Sequence, residues 1–340
     1  MKQSYLKFLP PAGIILSLAI LFAIASQFRY NFSTIFSINP LFLLLAFISS
    51  ILLLIVQAVR FKYIVDNFSG FSNFPFLETL LVRMGSQFVA MTTPGYVGGE
   101  VARAAWLASK GVEPGRALWL PYIEIIFDVI SSNIVAFVAG LYAIYFGNYF
   151  LGSIVILVSS AIFVLIWLLV FFSRKEGLTI PIAIVKILRK ILGETRSSWV
   201  IEKGNRFLTE FSYASLATLN RKNARQIAII AIYTVALVII TGSTLYLISM
   251  GLSFRLNLLL ATLAVFVSIV LGNLPITLGG SGIAELSVYY YTGLVLGFAS
   301  WPLVFAWRIV SYIFPLFLTG ITANIALHRF TVNPTRSRIR

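Results

Sequence analysis

The chain has 340 residues, 59% of them hydrophobic and only 11% charged, with no cysteine and a single histidine. An average soluble domain is roughly 25% charged, so this much apolar surface excludes a water-soluble monomer. The missing thiols exclude disulfides, thiolate metal sites and cysteine nucleophiles, and His328 alone argues against a histidine-based metal or general-base site.

The formal net charge of +15 invites a nucleic-acid reading that the positions of the charges remove. Residues 173–226 hold eleven Lys and Arg against Glu176, Glu194, Glu202 and Glu210, and more lie at the N-terminus (Lys2, Lys7) and in the tail (Arg329, Arg336, Arg338, Arg340). That pattern is a positive-inside bias with attraction to anionic headgroups, so nucleic acid is not an expected partner.

In chain order, apolar runs at 12–26, 40–59, 117–146, 149–172, 227–250 and 301–327 read as spanning helices, since about 20 residues cross a bilayer core. The first follows Lys2 and Lys7 and reads as a retained signal-anchor. Two further segments, 77–110 and 257–298, are each interrupted, at Pro94 to Gly99 and at Pro275 to Gly282. Their arms are short for spanning, which suits broken or re-entrant hairpins. The interruptions share Pro-x-x-x-Gly-Gly, 181 residues apart: Pro94-Gly95-Tyr96-Val97-Gly98-Gly99 and Pro275-Ile276-Thr277-Leu278-Gly279-Gly280. Backbone freed by Pro and Gly at membrane depth needs protein or a water-filled cavity around it. Matched broken helices in two halves point to a site between inverted repeats.

The expected fold is therefore an all-α polytopic membrane bundle, with about six full spans, two hairpins and an inverted repeat. The first repeat would be residues 1–148 and the second 149–340, the latter enlarged by a cytoplasmic basic loop at 173–226. Within that loop, Ile180 to Lys190 reads as a basic amphipathic stretch on the inner leaflet. With both termini cytoplasmic, Arg60, Lys62, Lys110 and Arg116 fall inside, the first hairpin enters from inside and the second from outside. Only Arg29 and Arg255 land outside.

Seven charges fall within or beside the apolar segments: Arg83, Glu100, Arg103, Glu124, Asp128, Glu285 and Arg308. Each costs about 2.5–3.5 kcal/mol at a helix centre, so they must pair or face a wet cavity. Glu100 and Arg103 (i, i+3) and Glu124 and Asp128 (i, i+4) each share a helix face. The two acids of the second pair repel, and are expected to meet Arg83, Arg103 or Arg308, a cation, or water. The functional reading is a central polar site in which helices restarting after Gly98-Gly99 and Gly279-Gly280-Ser281-Gly282 offer positive ends to an anion. The arginines would hold a phosphate bidentately. The structural alternative is that the glycines serve close packing and the ions act as locks. No catalytic residue, metal ligand or cofactor is expected.

These residues carry a resemblance to the lysylphosphatidylglycerol synthase transmembrane family, the flippase-like membrane domain of multiple peptide resistance factors and of related uncharacterised membrane proteins. The matching elements, spread over nearly the whole chain, are Arg83-x-Gly85, Pro94-x-x-x-Gly98-Gly99-Glu100-x-x-Arg103, Glu124-x-x-x-Asp128, Pro275-x-x-x-Gly279-Gly280-x-Gly282-x-x-Glu285 and Arg308. The chain departs from the family at Ile125, where Arg is frequent, and at Gly95, Tyr96 and Val97, where a basic residue is frequent. The soluble aminoacyl-transferase domain of the lipid-aminoacylating members is not expected here. The resemblance thus implies translocation of a membrane lipid, an anionic phospholipid or a lipid-linked sugar, in the cell membrane rather than lysyl transfer. It is compatible with a glycosyltransferase partner and with self-association. Two other functions compete: an integral-membrane lipid-phosphate or glycosyl transferase with Mg²⁺ on Glu124 and Asp128, and an accessory subunit of a glycolipid assembly complex. Asp66 and Asp128 are the only aspartates, which leaves no Asp-x-Asp metal pair for the transferase.

Overall fold

A computed structural model describes residues 37–71, 74–93, 95–175, 177–277 and 280–332. The run at 12–26, with its signal-anchor reading, and Pro94, Leu278 and Gly279 lie outside the described residues. Among the described residues every regular element is helical.

The local starts follow from sequence. Helix α1 (Pro40–Phe68) and helix α4 (Pro114–Tyr145) each begin on a proline at the first turn, where the missing N–H costs nothing. Asn39, Asn148 and Asn257 cap α1, α5 (Tyr149–Ser173) and α8 (Leu258–Gly272) by accepting from Leu41, Leu151 and Leu260 N–H, each satisfying an otherwise orphaned donor. Between these elements run α2 (Phe76–Met91), α3 (Gly99–Ser109), α6 (Ile182–Thr218) and α7 (Ala224–Gly251). The chain closes with α9 (Ile283–Leu296), α10 (Trp301–Arg308), a π turn at Ile309–Ile313 and α11 (Phe314–Val332).

Among the described residues, five helical stretches are long and apolar enough to cross a membrane: Pro40–Phe68, Pro114–Tyr145, Tyr149–Ser173, Arg221–Gly251 and Trp301–Ala326. The four hairpin arms are shorter. At 16, 11, 15 and 14 residues, they reach about 16–24 Å at 1.5 Å per residue, against a hydrocarbon core of about 30 Å. Both hairpins are therefore re-entrant. The first is closed at its base by Lys110 Nζ against Glu78 Oε1 at 2.7 Å, and the second by Phe254 against Phe298, ring centroids 5.1 Å apart.

The bases lie at opposite ends of the bundle. Asn39 N–H donates to the Gly251 carbonyl at 3.0 Å, placing the start of α1, the end of α7 and the second base together. At the other end, Lys62 donates to the Phe74 carbonyl, and Gly115 N–H donates to Glu210 of α6. Among the described residues two large apolar clusters fill the bundle, one built around Ala136, Ala139, Leu245 and Val304, the other around Phe61, Trp106, Trp119 and Ile123, with a small third of Phe88, Met91, Tyr312 and Leu316. Along α1, α4 and α7 the polar residues fall between these clusters, so a polar layer is sandwiched by two cores.

Two expectations change. The segment 173–226 is not a loop: most of it is α6, which bends at Gly193 (φ 74, ψ 167), a backbone position open to glycine alone. Its first arm exposes Ile184, Ile187 and Ile191 opposite Lys186, Arg189 and Lys190. Arg60, expected at the inner margin, is instead fully buried, because α1 continues nine residues past the apolar run.

Because the chain lacks cysteine, Tyr149→Cys and Lys222→Cys, at opposite ends of the bundle, should react with a membrane-impermeant thiol reagent from opposite faces of sealed vesicles. Labelling of both from one face would contradict this arrangement.

Candidate functional site

Glu124 of α4 is the centre of the first charge cluster and is 1% exposed. Its Oε1 accepts from Arg60 of α1 at 3.3 Å and from Arg83 of α2 at 3.4 Å. Its Oε2 lies 3.6 Å from Arg103 Nε of α3. One turn on, Asp128 holds Arg60 with both carboxylate oxygens, at 2.6 and 2.7 Å, a bidentate charge-assisted pair. Arg60 also donates to Thr234 of α7, Arg83 to Gln87 and Arg103 to Ser86. One helix thus gathers three arginines from three others. The i, i+4 acids share a face; Glu124 meets Arg83 and Arg103 as expected, whereas Asp128 meets Arg60, an arginine whose place in the sequence puts it at the inner margin.

The second cluster joins the second hairpin to the last helix. Glu285 Oε1 lies 2.7 Å from Arg308 Nε, with both residues buried. Arg308 donates to Ser281 at 3.3 Å, sits 3.9 Å over the Tyr312 ring, and hydrogen-bonds to Tyr96 in the tip of the first hairpin. The Tyr312 hydroxyl donates to the Met91 carbonyl. Each cluster therefore ties a hairpin to a spanning helix, with the signs exchanged: arginine on the hairpin and acid on the helix in the first, the reverse in the second.

The glycines at equivalent places in the two motifs do equivalent work. A Cβ on Gly99 would meet the Ser86 carbonyl oxygen at 2.6 Å, and one on Gly280 the Gly272 oxygen at 2.8 Å. Any side chain there would prise the returning arm off the entering one. The acids after them cap the restarted helices: Glu100 accepts from Gly98 N–H at 3.1 Å, and Glu285 from Gly282 N–H at 2.6 Å. Glu100 and Arg103 do not form the intrahelical ion pair their spacing suggests, because Arg103 turns across the hairpin to Glu124 and Ser86. The positive end of each restarted helix thus faces one of the chain's own carboxylates.

The two tips touch. A Cβ on Gly95 would lie 3.4 Å from Pro275 Cβ and 3.5 Å from the Asn273 carbonyl oxygen. Beside this contact is a cavity of about 320 Å³, walled by α1, α2, α4, α7, α8 and the final helix around the π turn. Of the expected site residues, Arg83, Asp128, Gly280 and Arg308 line it. Gly98, Gly99, Glu100, Arg103, Glu124, Gly282 and Glu285 stand behind that wall, and Gly279 lies outside the described residues. Among the expected charges, acids outnumbered cations four to three. Arg60 makes the count four to four, and that imbalance was the available signal for it. Gln57, Tyr96 and Tyr312 also line the cavity and carried no comparable mark in the sequence.

The family described as lysylphosphatidylglycerol synthase TM region matches residues 12–319. A UPF0104 membrane protein of Archaeoglobus fulgidus is 28% identical over 325 residues, covering 93% of this chain and 96% of its own length. A UPF0104 membrane protein of Methanocaldococcus jannaschii is 26% identical over 331 residues, covering 93% and 95%.

Replacing Glu124 with Gln leaves three buried guanidinium groups facing one fewer anion, and breaking a buried pair costs about 3–5 kcal/mol. The variant should melt far below the parent in detergent. Glu113→Gln, which removes an exposed partner 4.0 Å from Arg116, should stay within about 0.5 kcal/mol of it.

Proposed function

Because the chain belongs to the lysylphosphatidylglycerol synthase TM-region family, we propose that it moves the headgroup of a lipid or lipid-linked substrate between leaflets. The headgroup passes the central cavity while its tails stay in the bilayer. One observation carries this reading: both re-entrant tips and both charge clusters border one cavity, where Arg83, Asp128 and Arg308 share an otherwise largely apolar lining between two apolar cores. A bundle needing only stability has no use for that arrangement, since ionisable groups at membrane depth are costly. At about 320 Å³ the cavity is at the small end of ligand sites, suited to one headgroup and too small for a whole lipid.

In this reading the chain consists of two inverted repeats, divided near residue 148, each contributing one hairpin. The twin roles of Gly99 and Gly280 and the sign-exchanged hairpin–helix pairs support the division. The end bearing Lys62, Lys110, Arg116, Lys222 and α6 faces the cytoplasm under the positive-inside rule. Movement of the tips past each other opens the cavity to one side or the other. The Arg308 contacts to Tyr96 and Glu285 and the π turn beside Arg308 are the elements that must rearrange. A π turn interrupts the regular ladder and is often found at functional positions. Here the Ser50 hydroxyl donates to its Val310 carbonyl at 2.9 Å.

Reconstituted in vesicles with an acyl-labelled lipid panel, the protein should exchange at least one lipid between leaflets faster than protein-free vesicles do. Arg308→Ala should slow that exchange about tenfold, the equivalent of one lost charge-assisted contact. Rates equal to empty vesicles across the panel would contradict the proposal.

A further inference from the structure

The basic segment 173–226 contributes no residue to the central cavity, and within it α6 folds back on itself. Ile180 N–H donates to Asn205 Oδ1 at 2.8 Å, and a Cβ on Gly204 would meet the Ile180 side chain at 2.6 Å. The bend at Gly193 lies midway between these contacts, so the first arm of α6 doubles back on the start of the second.

The later part of the second arm is fastened across the ends of two spans. Gly115 N–H donates to Glu210, the Trp119 indole N–H to Thr218 and the Ser212 hydroxyl to the Lys175 carbonyl. Trp119 and Tyr122 both meet Phe211 edge to face. These contacts hold α6 beside the first turns of α4 and the end of α5, the level at which hydrocarbon gives way to headgroups. At the same level Phe207 and Phe211 border an open apolar groove of about 250 Å³ with Leu118, Leu169 and Phe172.

The first arm meets that boundary with two unlike faces. Ile184, Ile187 and Ile191 are 47%, 55% and 71% exposed, and their spacing of three and four residues makes them one stripe. Lys186, Arg189 and Lys190, all exposed, stand on the other side, and residues 180–192 contain no acid. Past the bend, Trp199 is also exposed, with Lys203 Nζ 4.1 Å over its ring, an apolar body with a charged rim of the kind favoured where lipid meets water. A soluble partner seated on either face of the arm leaves the other in water. A bilayer surface answers both, with acyl chains for the isoleucines and negative headgroups for the cations.

We propose that the first arm of α6 is an anionic-lipid-binding element. It lies in the headgroup layer with its isoleucine stripe toward the acyl chains, and Lys186, Arg189 and Lys190 are held by the negative charge of phospholipids in the leaflet at that end. This site is separate from the central cavity and stands whether or not the chain moves lipid between leaflets.

The full chain with Ile187→Cys, labelled with a polarity-sensitive fluorophore, is reconstituted in vesicles of phosphatidylcholine alone or mixed with phosphatidylglycerol. Phosphatidylglycerol should shift the emission to the blue and cut quenching by aqueous acrylamide several-fold. About 1 M salt, where screening acts within about 3 Å, should reverse the shift. The same label at Arg189→Cys should stay open to acrylamide throughout. Lys186→Gln, Arg189→Gln and Lys190→Gln together should lose most of the shift at an unchanged melting temperature, since all three side chains are already exposed. Ile184→Ser with Ile191→Ser should lose it as well. A label at position 187 equally open in both lipid compositions, equally shielded in both, or still shielded after the triple substitution overturns the proposal. None of these outcomes depends on leaflet exchange, which is read separately.

Discussion

A charge or a broken backbone inside a bilayer must find a partner within the protein, because lipid tails provide none. The organisation of this molecule follows from that constraint. Glu124 is the point where it acts most strongly, with guanidinium groups from α1, α2 and α3 converging on one carboxylate of α4. Once that carboxylate is buried, the first hairpin cannot drift away from the spanning helices without stranding two arginines. The second hairpin is held the same way by Glu285 and Arg308. Pairing thus sets the position of the tips, and the position of the tips sets the cavity.

A static lock would account for paired charges but not for where the remaining polar surface lies. Glu124, Arg103 and Glu285 stand behind the cavity, while its lining mixes Arg83, Arg308 and the Arg60-bound Asp128 with serine, threonine and apolar side chains. Arg308 pairs with Glu285, meets Tyr96 of the opposite hairpin and lines the cavity. It joins the second hairpin to the tip of the first at the cavity wall.

Much of this was legible in the sequence. Pro-x-x-x-Gly-Gly marked both tips, arm length marked them as short, and the requirement that charges pair brought Glu124 and Asp128 to arginines. The parts that were not legible depend on partners distant in sequence. Arg60 follows an apolar run by one residue and reads as a flanking charge; only the continuation of α1 to Phe68 carries it to Thr234 and Asp128. Glu100 and Arg103 have the spacing of a helical pair, yet a hydrogen bond to Gly98 N–H and the pull of Glu124 across the hairpin outcompete it. Segment 173–226 reads as a loop because its charges hide the helical pattern, and its bend waits on one glycine at a backbone angle that no periodicity displays.

The meeting of the two tips is the claim on which the cavity, the shared clusters and translocation all depend, and a cysteine-free chain lets it be tested directly. The Cβ positions of residues 95 and 275 lie 3.4 Å apart, close to the about 3.5–4.5 Å of a disulfide. With each single variant as a folding and reactivity control, Gly95→Cys combined with Pro275→Cys should form an intramolecular cross-link in the membrane under mild oxidant, identified by mass spectrometry of the joined peptides. Two cysteines that each react alone yet never join would show that the hairpins do not meet, and the account would fail with them.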